Sequence, residues 1–257
     1  MLGTAIAFGL LSEVAEFFSE SYGASFVFPP AGVSLAASVA FGPWGVLGVL
    51  LAVAASPWGA AAISPLAMVL FCLVHASAAL VPALTLRRPT GPTGTRLTRV
   101  MLLGIGLASL ASGILGTLAL AWLGRLEWTV EALVSNLLAW WVADTMAGLI
   151  LGIPLLLALR PASLLDTYGQ RLFVQWRSNS RQLALTGFAL IAAIVVLWGS
   201  YRLDWGFPAW MAVGLLAPVA LAGAQGGLGG AIWMNLPVCL AYFGLTVLPA
   251  LSAHSGP

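Results

Sequence analysis

The segment NLLAWWVADTMAGLILGIPLLL, residues 136–157, carries one ionisable side chain, Asp144, among tryptophans and leucines. A carboxylate at membrane depth costs a few kcal/mol on insertion scales, so it must be paired, hydrated, protonated or used. Steps of four from Asn136 reach Trp140, Asp144, Gly148 and Gly152, which form one stripe along a helix. Gly148 and Gly152 would let another backbone approach closely. The stripe is therefore expected to point into a bundle. There Asp144 either caps a neighbouring broken helix or binds a ligand, cation or proton, and the second reading is preferred.

Three more carboxylates, Glu13, Glu16 and Glu20, share one face of the first apolar stretch in LSEVAEFFSE. They read either as a hydrated helix end or, for Glu13 and Glu16, as part of an outward-open polar cavity shared with Asp144. Arg125 or Arg202 could pair with them. His75, in FCLVHASAAL, reads as a hydrogen-bonded packing residue rather than a proton sensor. No Ser–His–Asp order, HExxH pattern or phosphate loop is visible, so no catalytic residue is assigned and the chain is expected not to be an enzyme. GAQGGLGG, residues 223–230, reads as a tight turn between two spans. Cys72 and Cys239 read as reduced, membrane-buried thiols, and neither a metal site nor a cofactor is expected.

The elements that position these groups must be membrane helices. The 257 residues are 61% hydrophobic and 7% charged, against roughly 25% charged in a soluble domain, and the mean hydropathy is +1.02. A net charge of +2 gives no case for nucleic acid. A helical span needs about 20 apolar residues. On that basis helices are expected near 3–20, 29–41, 43–58, 64–86, 99–124, 129–159, 182–201, 206–224 and 227–250. The fold expected is all-α: a polytopic transmembrane bundle of about eight to nine spans, treated as one domain over 1–257. The helices near 29–58 are short, separated only by FGPWG, and read as tilted, partly buried or re-entrant. The 129–159 segment exceeds one perpendicular crossing, so it tilts or is kinked at Pro154.

Arginine placement sets the expected orientation. Arg87, Arg88, Arg96 and Arg99 mark one cytoplasmic loop, and Arg160, Arg171, Arg177 and Arg181 another, which puts the N-terminus in the cytoplasm and Pro257 outside. Between 163 and 176, Leu164, Leu165, Tyr168, Leu172 and Trp176 recur at helical steps beside Arg171 and Arg177. That pattern suits a helix in the membrane interface, resting on lipid headgroups or meeting a cytoplasmic partner.

The remaining unusual stretch is FVFPPAGVSLAASVAFGPWG, residues 26–45. Pro29 and Pro30 suit a helix start, Gly32 and Ser34 allow close packing, and irregular backbone before them is tolerated at membrane depth only where protein or water covers it.

These blocks resemble the bacterial membrane-associated sensor family MASE1. Pro29, Pro30, Ala31, Gly32 and Gly42 match its first motif, and Trp140, Trp141, Asp144, Gly148, Pro154 and Leu155 match its second. Phe28, Ala143 and Ser56 stand where that pattern has Trp, Gly and often Asn. The resemblance implies a bacterial inner-membrane sensor that regulates cytoplasmic output modules, commonly histidine kinases of two-component systems or the diguanylate cyclases of cyclic-di-GMP signalling, encoded in the same gene or separately. The expected polar pocket comprises Asp144, Trp140, Trp141, Asn136, Pro29, Pro30 and Gly32, with Glu13 and Glu16. Its ligand is a small molecule or the state of the membrane lipids themselves, and a homodimer is an open alternative to the monomer. The competing expectation is a small permease or ion-coupled transporter using Asp144 with Glu13 and Glu16.

Overall fold

A computed structural model describes residues 1–22, 28–55, 64–86, 100–202 and 209–242. Every regular element among them is helical. The chain divides into two compact units, Met1–Leu164 and Leu165–Pro257.

The first unit begins with α1 (Leu2–Tyr22), which buries Thr4, Phe8 and Ala15 and leaves Leu2, Ile6 and Leu10 exposed. Two short helices follow, α2 (Pro29–Phe41) and α3 (Pro43–Ala55). At 13 residues each they span about 20 Å, well short of the roughly 30 Å hydrocarbon core. Gly42 joins them at φ 59° and ψ −131°, a backbone region open to glycine. A Cβ on Gly45 would overlap the Ala37 carbonyl, so α2 and α3 close on each other as a hairpin. The FGPWG separator thus acts as a tight reversal. Residues 32–40 of α2 are buried throughout, so α2 is the central rod of the unit. Its Val33 joins Phe8, Val46, Val49, Val53 and Ala79 in one apolar cluster.

α4 (Pro65–Thr85) starts at Ser64, whose hydroxyl accepts from the Ala67 N–H at 3.3 Å. A π-helical turn, Val100–Leu107, leads into α5 (Ala108–Trp122). α6 (Val130–Ala147) is capped by Thr129. A second π turn, Gly148–Gly152, carries it into α7 (Ile153–Leu159), with Pro154 in the first turn of α7. The run Val130–Leu159 remains one apolar helix of 30 residues. The wider π turn comes just before the proline, where a regular ladder would lose a donor and meet the ring.

In the second unit, Asp166 caps α8 (Thr167–Ser178), its carboxylate accepting from the Gly169 N–H at 2.7 Å. The helix therefore begins later than expected, and Leu164 and Leu165 precede it. α8 meets α9 (Ser180–Arg202) at 80°. The apolar side of α8 faces α10 (Ala209–Tyr242): Trp176 seats against Gly226, Phe173 against Gly229, and the Arg177 guanidinium lies 5.5 Å from the Trp233 ring centre. Tyr168 and Val174, on other sides of α8, are exposed. α10 reverses at Gly227, at φ 61° and ψ −157°, bringing Gly230 onto the Ala222 carbonyl. GAQGGLGG is thus the turn the sequence suggested.

Among the described residues, three helices are long and apolar enough to cross a membrane, Pro65–Leu84, Leu103–Trp122 and Val130–Leu159, and α8 with α9 makes a fourth if that bent pair is one span. Large apolar side chains such as Leu10, Leu84, Trp122 and Phe188 face outward. A water-soluble domain would not expose so many of them together.

Candidate functional site

α6 presents its four-step stripe mainly to α5, and each rung meets a residue suited to it. The Asn136 side-chain amide donates to Thr117 Oγ1 at 2.9 Å. The Trp140 ring fills the notch over Gly116, where any Cβ would overlap it. Ser112 Oγ donates to Asp144 Oδ2 at 2.7 Å. Gly148 lies under Ile105. The partners run backwards along α5 and its leading π turn while the stripe runs forwards, as two antiparallel helices require.

α2 reaches the same stretch from another side. The Phe28 N–H, just ahead of Pro29, donates to the Ala143 carbonyl at 3.3 Å. A Cβ on Gly32 would come within 2.6 Å of the Ala147 carbonyl and 3.0 Å of the Gly152 nitrogen, so α2 meets the second π turn backbone to backbone. The Pro29–Gly32 entry and the Asp144 segment therefore adjoin, through main-chain atoms.

Asp144 itself is 4% exposed. Its Oδ1 is buried with no hydrogen-bond partner among the described residues. The Trp140 indole is the other donor near the carboxyl, without completing a hydrogen bond to Oδ1. α2, α4, α5 and α6 carry no arginine to neutralise it. Beside it lies a cavity of about 10 Å³, measured as space open to the centre of a water-sized sphere. Its walls include Ala31 and Leu35 of α2, Ala78 of α4, Ser109 of α5, and Asp144 and Gly148. That is room for about one water molecule. The lining supplies two polar side chains, Ser109 and Asp144.

Of the other expected pocket residues, those whose side chains are described lie outside the cavity wall. Trp141 is partly exposed, and its indole N–H donates to the Gly106 carbonyl at 3.2 Å, serving the first π turn. Pro29, Pro30 and Gly32 build and seat α2 without lining the cavity. Asn136 is two turns from Asp144 and is engaged by Thr117. Glu13 is exposed on α1, which contributes no residue to the cavity wall. The Glu16 side chain lies outside the described residues. His75 stacks on Phe28 with ring centres 5.8 Å apart and meets Phe8 edge-on at 5.5 Å. It packs through aromatic contact, and the hydrogen bond expected of it is not seen among the described residues.

Sequence reasoning passed over Ser109, Ser112 and Thr117. Their signal was present: three hydroxyls on an otherwise apolar helix, Ser109 and Ser112 nearly one turn apart. Comparison with protein-family models, curated proteins and solved structures finds no match for the chain.

Proposed function

We propose that the chain is a membrane signal-sensing domain of MASE1 type, in which the packing of α2 and α5 around Asp144 is the element that changes state. One observation carries this reading: a buried carboxylate with one oxygen unpartnered among the described residues, set where three helices meet through glycines and main-chain atoms. Intramembrane carboxylates are costly and belong to functional sites by default. Close glycine contacts of this kind admit discrete arrangements rather than gradual deformation. The small cavity narrows the ligand from an organic molecule to a water-sized species. A ligand shifts such an equilibrium only through its differential affinity for the two states.

In this reading the domain sits in a bacterial inner membrane, crosses it about eight to nine times with its N-terminus in the cytoplasm, and passes its change of state to a histidine kinase or diguanylate cyclase module. The test is to express wild-type chain and Asp144→Asn in a bacterial host. Kinase phosphorylation and cyclic-di-GMP levels are then followed at matched membrane insertion. Output that differs between the two supports sensing. Identical output, with Asp144-dependent ion uptake into reconstituted vesicles, replaces it with the permease reading.

A further inference from the structure

We propose that Asp144 and Ser112, with one water in the adjoining cavity, form a reversible proton-binding site, which makes the proton the ligand of the sensing domain and so rests on that reading. The observation behind it is the double engagement of Ser112. Its Oγ lies 2.7 Å from Asp144 Oδ2 on the neighbouring helix and 3.0 Å from the Ser109 carbonyl on its own. A hydroxyl has one hydrogen, so at any moment it serves one acceptor fully. Which acceptor prevails depends on the charge of the carboxyl, because a bond to an ionised acceptor is roughly twice as strong as a neutral one.

With Asp144 ionised, the Ser112 hydrogen goes to Oδ2 and ties α5 to α6, while Oδ1 has no donor among the described residues and a water lies in the adjoining cavity. A proton enters on a hydronium taking the place of that water and is transferred to Oδ1. One O–H bond forms on the carboxyl, one breaks on the hydronium, and a neutral water stays behind to accept from the new O–H. The carboxyl changes from −1 to neutral. The Ser112 hydrogen is then free to turn to the Ser109 carbonyl, and the charge-assisted tie between the helices is lost. Proton binding is thereby converted into a change of helix packing beside the Gly32 contact.

The surroundings suit a proton better than a metal ion. Calcium takes six to eight oxygen ligands and magnesium demands an octahedron, but the cavity offers two polar side chains. No group of three or more His, Cys, Asp or Glu residues is gathered among the described residues. Nor does another charge compete. α2, α5, both π turns and α7 carry no titratable side chain. α4 carries Cys72, half-buried, and His75, packed against Phe28 and Phe8. Glu131 of α6 is exposed more than three turns away.

The experiment is infrared spectroscopy of the chain in vesicles of phosphatidylcholine and phosphatidylglycerol, with the protonated-carboxyl C=O band followed as pH is stepped. The chain carries eight Asp and Glu residues, and the band of the site is the one that titrates in the wild type and is lost in Asp144→Asn; one such band is expected. Ser112→Ala should keep the band, shift its frequency and raise its midpoint by about one to two pH units, since it removes a donor that favours the charged form. A wild-type titration identical to that of Asp144→Asn, or an Asp144 band abolished by sodium at constant pH, overturns the site. Should Asp144→Asn fail to insert, Ser112→Ala decides, and a band indifferent to it overturns the proposal. A signalling change in Asp144→Asn without an Asp144 band removes the proton site and leaves the sensing reading standing. An Asp144 band with unchanged signalling supports the proton site and removes the sensing reading.

Discussion

The main-chain N–H of Phe28 is bonded to the carbonyl of Ala143 at 3.3 Å, so the entry of α2 is tied to the turn of α6 that carries Asp144. These residues are more than 100 positions apart in the chain. The bond places the start of a short, mostly buried helix beside the buried carboxylate. Any movement of α6 at Asp144 is therefore felt at Pro29 and Pro30.

Gly32 is the tightest point of that junction. Gly32→Ala is expected to destabilise the fold by about 1–3 kcal/mol, because its Cβ meets backbone rather than a movable side chain. Gly9→Ala in α1 is the control: nothing lies within 4 Å of its Cβ, and helix propensity favours alanine by up to about 1 kcal/mol. Thermal unfolding in detergent, compared between the two variants, checks the contrast.

Gly116 and Trp140 should behave as a pair. Gly116→Ala pushes the indole out of its notch, whereas Trp140→Leu makes room for the added methyl. The double variant should therefore lose less than the sum of the single ones, with a coupling on the order of 0.5–3 kcal/mol. Additive losses in a double-mutant cycle would place the ring elsewhere.

The Asn136–Thr117 bond makes a smaller claim. Polar bonds between membrane helices average about 0.6 kcal/mol and reach about 1.7 kcal/mol. Asn136→Leu should cost no more than this, and Thr117→Val should cost nothing further in its presence. A loss well beyond that range in either variant would show that Asn136 does more than join α5 to α6.

In the second unit the reversal at Gly227 requires a residue without a Cβ. Its φ of 61° with ψ of −157° lies in a region populated almost only by glycine, and strain there costs about 1–3 kcal/mol. Gly227→Ala should open the turn and expose it to protease in detergent, while Gly187→Ala, with open space around its Cβ, should not. Equal resistance of both variants would contradict the reversal.

Much of the fold was legible from composition and spacing, because membrane helices announce themselves by length and apolarity. Nearly every helix starts within a few residues of its expected position, and within 223–230 Gly227 marks the turn because little else tolerates its backbone. The Asp144 stripe was legible because a period of four is a property of one helix. What opposes the stripe was not. Ser112, Gly116 and Thr117 sit on α5, and their register against α6 depends on how two helices settle side by side. The same limit explains Trp141, which adjoins Trp140 in sequence. A step of about 100° around the helix turns it from the stripe to the Gly106 carbonyl.

The sequence by itself determined that the chain is a set of apolar helices and that one carboxylate lies deep within them, since both follow from residue type and local period. Only the tertiary structure decided that, among the described residues, Asp144 keeps one oxygen unpartnered beside a cavity for a single water, and that Trp140 stands near the carboxyl while Trp141, Pro29, Pro30 and Glu13 lie outside the cavity wall. Burial and hydrogen-bond partners are set by neighbours distant in the chain, and a local pattern holds no record of which neighbours those are.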